Sequence, residues 1–190
     1  MKKYILIAGV NGAGKSTLFH VLEELKDMPR VNTDEIVKQF GDWNNYSDTF
    51  KAGKQAVQMI NEYFSNWITF NQETTLCGNN ILKNIRKTKM LDYYVELHYV
   101  GVESVEIAKK RVAHRVSVGG HGIPEKDIER RYVETFENLN KIISECDRIS
   151  FYDNTTEFER FAIMEGKDII VLVNCIPKWF GKVNSNYRGN

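Results

Sequence analysis

The order of apolar and amphipathic segments predicts an α/β fold: a mostly parallel five-stranded sheet with helices on both faces, followed by a C-terminal β-hairpin. Three observations predict it. Short apolar runs alternate with helix-length amphipathic stretches from Tyr4 to Tyr152. The first run, residues 4–8, is nearly all apolar, as a strand buried on both faces requires, and it ends in a glycine-rich turn at Gly9. The last forty or so residues abandon the alternation. In order, a helix is expected over 15–25, and a short strand over 30–32 with Thr33 or Asp34 capping a helical turn through Gln39. A longer helix follows over 48–64 and a third strand over 67–73. Asn79 then caps a helix through Met90, and residues 93–100 form a fourth strand. Ser104, with Glu106 in the first turn, opens a helix to Val116; the glycines and Pro124 of the next segment break it. A further helix over 125–143 leads to a fifth strand over 148–152. Residues 158–164 and 168–174 flank Glu165-Gly166-Lys167 and predict the hairpin. One domain is expected over 1–190, with a core over 4–155, the hairpin extension over 156–181 and a polar tail over 182–190.

Composition narrows the function classes. The 190 residues are 42% hydrophobic and 27% charged, which argues against long disorder, a collagenous repeat or a coiled coil. Basic and acidic residues number 26 and 25, a formal charge of +1, so no whole-molecule field draws the chain to nucleic acid or anionic lipid. The three cysteines have no CxxC spacing and suggest neither a disulfide framework nor a zinc site, which fits a reducing cytoplasm. About six apolar residues precede the first glycine turn, too few for a signal sequence or a membrane span.

The strongest motif is Gly9-Val10-Asn11-Gly12-Ala13-Gly14-Lys15-Ser16-Thr17, which satisfies G-x-x-x-x-G-K-S/T between an expected strand and an expected helix. Glycines let consecutive backbone N–H groups converge on phosphate oxygens. Lys15 would reach the β- and γ-phosphates, and the Ser16 hydroxyl would meet Mg²⁺. The pattern predicts a P-loop nucleoside-triphosphate fold that binds ATP. No DxxG switch or N/TKxD guanine-reading segment stands in a suitable place, which disfavours a GTPase. Ser117-Val118-Gly119-Gly120-His121 only superficially resembles the signature of ABC-type ATPases, since no hydrophobic run ending in Asp-Glu follows it. A small kinase remains, in which catalysis is mostly positioning and charge neutralisation.

The acceptor side is read from strand ends. Asp34 lies 19 residues after Lys15, at the end of the second expected strand, so a parallel sheet brings it to the edge that carries the P-loop. A carboxylate there orients an acceptor hydroxyl; the alternative is a helix cap. Glu73 ends the third strand and would hold metal-bound water or the acceptor, with Thr75 adding a hydroxyl; the alternative is a polar strand end. Arg111 and Arg115, four apart, share one helix face. On the next helix, Arg131 borders the apolar stripe of Ile128, Tyr132, Thr135, Leu139 and Ile142, whereas Arg130 faces away. Residues 119–124 read as a lid, where His121 contacts phosphate or merely occupies a turn. Asn154, after the fifth strand, is placed beside the adenine, and Trp43, Tyr46 and Phe50 stand where an acceptor would bind or pack in the core.

With these residues in view, the chain resembles the zeta toxin family of P-loop kinases. The likeness covers about residues 4–155 and rests on GVNGAGKST, Asn32-Thr33-Asp34, Glu73-Thr74-Thr75-Leu76 and, above all, RVAHRVSVGGHGIPEKDIERRYVETFENL over 111–139. The resemblance implies an ATP-dependent kinase acting on the sugar 3′-hydroxyl of UDP-N-acetylglucosamine. Its P-loop lysine, post-strand aspartate, E-x-T pair and two lid arginines fall on Lys15, Asp34, Glu73, Thr75, Arg115 and Arg131. It also implies toxicity and an antitoxin partner that blocks the nucleotide site. Two further readings stay open: an ATP-binding regulatory or interaction module without turnover, and an RNA or nucleoside kinase, which the near-neutral charge disfavours.

Overall fold

A computed structural model describes residues 1–183. Seven strands form one sheet: β1 (Lys2–Ala8), β2 (Arg30–Val31), β3 (Phe70–Thr74), β4 (Tyr93–Gly101), β5 (Arg148–Asp153), β6 (Glu159–Glu165) and β7 (Asp168–Val171), in the order β2-β3-β1-β4-β5-β6-β7. The first five pair in parallel, with Tyr4 between Phe70 and Val95 and Ala8 between Thr74 and Tyr99. The last two are antiparallel. The expected hairpin is therefore present, but it extends the main sheet at β5, which raises the strand count from five to seven.

Six helices connect the strands: α1 (Lys15–Val21), α2 (Thr33–Lys38), α3 (Tyr46–Ser65), α4 (Asn79–Met90), α5 (Val105–Ser117) and α6 (Glu125–Ile142). Several boundaries depart from the sequence expectation for local reasons. Extended backbone at Leu22 stops α1, and residues Glu23–Leu25 continue as a 3₁₀ turn. Asn32, not Thr33 or Asp34, caps α2: its side chain accepts the Asp34 N–H at 2.9 Å. Asn79 is the first helical residue of α4 rather than its cap, which is Gly78. Trp67 has the β-propensity of a strand residue, yet its φ of 51° is left-handed and its N–H bonds back to Phe64, so it finishes α3 and the strand begins at Phe70. Ser104 caps α5 as expected.

One sheet face carries an aromatic core. Tyr4, Phe64, Phe70 and Tyr93 pack ring to ring, and Tyr99 meets Phe136 of α6. A 3₁₀ turn at Lys178–Lys182 folds back to bury Trp179 and Phe180 against Tyr99, Phe151 and Phe161. Lys182, assigned to the tail from sequence, belongs to this turn; residues 184–190 of that expected tail lie outside the described residues. Among the described residues no helix is long and apolar enough to cross a membrane. Parallel pairing brings the carboxyl ends of β1, β2, β3 and β5 to one edge of the sheet, where the loops bearing the candidate residues open into a cleft.

Candidate active site

The cleft has a volume of about 1600 Å³ and is lined from one side by the P-loop and from the other by α2, the loop before α3, α5 and α6. Asn11, Gly12, Gly14, Lys15, Ser16 and Thr17 stand on its wall. Gly9 and Ala13, expected to contact nucleotide, lie behind it and are buried. At Gly9, with φ of 143°, a Cβ would sit 2.2 Å from the Val100 carbonyl oxygen, so the glycine lets the loop leave β1 against β4. Ala13 contributes its carbonyl, which accepts the Asn154 amide at 2.8 Å. Asn154 thus lines the cleft as a clamp on the P-loop main chain. The neighbouring Asp153 carboxylate accepts from both Thr155 and the Trp179 indole at 2.7 Å, which ties this loop to the C-terminal turn.

Lys15 is buried and donates to the Val10 carbonyl at 3.1 Å. Burial pushes its ammonium pKa below the usual lysine range, and the Glu73 and Asp34 carboxylates oppose that shift. Ser16 donates to Glu73, 3.2 Å from each carboxylate oxygen. Glu73 is also held by Arg30 Nη2 at 2.6 Å and Asn32 Nδ2 at 3.2 Å, and its side chain is only 9% exposed. Arg30 in turn stacks its guanidinium 3.4 Å from the centre of the Phe19 ring. Thr75 and Cys77 follow on the cleft wall.

Asp34 is 47% exposed, and its Oδ2 lies 3.3 Å from His121 Nε2. Arg115 donates from Nε to the His121 carbonyl at 2.8 Å and brings Nη2 within 3.4 Å of the same ring nitrogen. Trp43 meets the imidazole edge to face at 5.8 Å. Burial lowers the His121 pKa; Asp34 opposes that, while Arg115, Lys38 and Lys15 add to it. Arg131 bonds Asn11 of the P-loop at 3.0 Å. Arg130 is 56% exposed and pairs with Asp127 and Glu134 on its own helix. Arg111, although it lines the cleft, spends its Nη2 on the Thr155 carbonyl at 3.3 Å. Tyr46 stands at the rim, stacked on Phe50.

Sequence reasoning missed Arg30 and the part Asn32 plays. The available signal was an arginine in a short strand beside the one that ends in Glu73, because a buried guanidinium needs a carboxylate partner. It also missed that Trp43 and His121 meet.

A sequence profile of the family described as Zeta toxin matches residues 1–173. A Haemophilus influenzae protein described as uncharacterized is 34% identical over 130 residues, 68% of this chain and 92% of that one. Among solved structures, a chain of the AvrRxo1-ORF1:-ORF2 crystal structure with ATP superposes with a TM-score of 0.75 at 14% identity, covering 100% of this chain and 65% of that one. This chain therefore spans about two thirds of that relative. A chain from the PezAT chromosomal toxin-antitoxin system of Streptococcus pneumoniae gives a TM-score of 0.60 at 18% identity, covering 84% of this chain and 70% of that one. Identities this low speak for the fold alone.

Proposed function

Because the chain belongs to the zeta toxin family of P-loop kinases, we propose that it transfers the γ-phosphate of ATP to a hydroxyl of a nucleotide sugar such as UDP-N-acetylglucosamine. The observation that carries this reading is the sharing of one cleft by Lys15, a half-exposed Asp34 carboxylate, Arg115 and Arg131. Asp34 accepts the hydrogen bond of the acceptor hydroxyl and takes its proton as the oxygen–phosphorus bond forms and the bond from the γ-phosphorus to its bridging oxygen breaks. Lys15, Arg115 and Arg131 supply positive charge where the phosphate oxygens gather it, which is most of what a loose phosphoryl-transfer transition state asks of a protein. Gly12, Gly14 and Thr17 add the loop around the phosphates, and Thr75 a hydroxyl on the acceptor side.

The Ser16 hydroxyl and the Glu73 carboxylate, 3.2 Å apart, are hard oxygen donors of the kind Mg²⁺ takes alongside phosphate oxygens, and they are the residues that would hold it. When bound, the ion neutralises charge on the transferring phosphate.

Family membership and the toxin-antitoxin system of the Streptococcus pneumoniae neighbour support reading this chain as the toxin of such a pair, with an antitoxin protein as partner. The test is incubation with Mg²⁺-ATP and a panel of nucleotide sugars, nucleosides and short RNAs, followed by phosphorus NMR, with Lys15→Ala and Asp34→Asn alongside. A nucleotide sugar that gains phosphate only with the unaltered chain supports the reading. ATP binding with no phosphorylated acceptor would favour a regulatory module, and phosphate on RNA would move the acceptor class.

A further inference from the structure

Arginine and carboxylate make their strongest contact as a direct, two-pronged pair. In the cleft, however, no ion pair between Asp34 and Arg115 forms among the described residues, although both side chains reach the same atom of His121. His121 stands between them: its Nε2 lies 3.3 Å from Asp34 Oδ2 and 3.4 Å from Arg115 Nη2. We infer that His121 is a positioning residue, a spacer whose ring keeps the Asp34 carboxylate from collapsing onto the Arg115 guanidinium. Left in direct contact, the two would satisfy each other. The carboxylate would then be withdrawn from an incoming hydroxyl and the guanidinium from phosphate.

The surrounding segment is built to hold that ring in place. Residues 119–122 read Gly-Gly-His-Gly between α5 and α6. At Gly120 a Cβ would sit 2.5 Å from Arg115 Cγ and 2.9 Å from the Arg115 carbonyl oxygen, whose bond with the Gly120 N–H closes the end of α5. At Gly122 it would sit 2.9 Å from Val116 and 3.1 Å from the Trp43 ring. Larger residues would push the loop off both surfaces. Trp43 packs against the imidazole, whose side chain is only 11% exposed, and Arg115 Nε grips the His121 carbonyl. The charges acting on the ring are Asp34, which favours its protonation, and Arg115, Lys38 and Lys15, which oppose it. Burial disfavours the imidazolium, which suits a spacer, since a charged ring would itself pair with Asp34.

This inference rests on the kinase reading, in which Arg115 faces phosphate, and a double-substitution cycle on ATP affinity by calorimetry tests it without any acceptor. His121→Ala is expected to weaken ATP binding about tenfold, the loss of one charge-assisted contact. His121→Phe, which keeps a ring but has no donor or acceptor, is expected to stay within about threefold of the unaltered chain. Adding Asp34→Asn to His121→Ala removes the partner that captures Arg115 and is expected to restore most of the affinity. The inference is overturned if His121→Ala binds ATP normally, if His121→Phe is as impaired as His121→Ala, or if Asp34→Asn fails to rescue. Absence of ATP binding by the unaltered chain would instead overturn the kinase reading itself.

Discussion

Two carboxylates at the same sheet edge, Glu73 and Asp34, are built in opposite ways. Glu73 is almost sealed, 9% exposed, and receives hydrogen bonds from Ser16, Arg30 and Asn32. Asp34 is 47% exposed and meets His121 of the segment between α5 and α6. A carboxylate that is nearly sealed in the fold cannot meet an acceptor hydroxyl, while one that is half open can. The difference assigns Glu73 to organising the phosphate side and Asp34 to meeting the acceptor.

Substituting each carboxylate in turn sharpens the contrast. Asp34→Asn is expected to slow transfer by about 10²- to 10⁴-fold, the range for a positioned acid or base, while the denaturation midpoint stays close to the original. Rate and urea midpoint measured on one preparation check both halves. Glu73→Gln is expected to lower stability by about 2 kcal/mol, because the buried Arg30 guanidinium is left with only its longer, 3.3 Å pairing to the half-exposed Glu35. The urea midpoint reads this, and adding Arg30→Met is expected to recover part of the loss.

A third carboxylate, far from the cleft chemistry, extends the comparison to pH. Glu96 on β4 is held at about 2, chiefly by its hydrogen bond to His98 and with help from Lys3, against the opposing effect of burial. Its folded pKa lies below its unfolded one, so its contribution is present above pH 4.5 and is lost as pH falls from there toward 2. Glu96→Gln is expected to flatten that acid limb in a series of urea midpoints. The smallest effect belongs to Arg130, exposed on α6 and paired only along its own helix. Arg130→Ala is expected to change stability by less than about 0.5 kcal/mol and leave transfer unchanged, whereas Arg131→Ala, which frees Asn11 of the P-loop, is expected to impair transfer.

What could be read from sequence follows the range of the interactions. The P-loop is a contiguous pattern, and Asp34 and Glu73 stand at ends of strands that a parallel sheet must align. The helical periodicity of α6 also sorted its two arginines, since Ile128, Tyr132, Thr135, Leu139 and Ile142 are indeed buried and Arg131 reaches the P-loop while Arg130 does not. The Arg30–Glu73 clamp joins residues 43 positions apart through side-chain geometry that no local pattern encodes. The hairpin was legible from the two runs that flank Glu165-Gly166-Lys167, but its pairing with β5 was not, because that depends on how Phe161, Trp179 and Phe180 fill the space beside Phe151. Trp67 misled because propensity speaks for an average backbone, and here the chain turns left-handed to end a helix.

The division of labour between the two carboxylates is tested most directly by measuring, for Asp34→Asn, the affinity for Mg²⁺-ATP by calorimetry and the rate of a single turnover of γ-phosphate transfer on the same protein. ATP affinity within about threefold of the unaltered chain, with transfer reduced at least about a hundredfold, is the expected result. Transfer that survives the substitution, or ATP affinity that falls in step with it, would contradict the assignment of Asp34 to the acceptor.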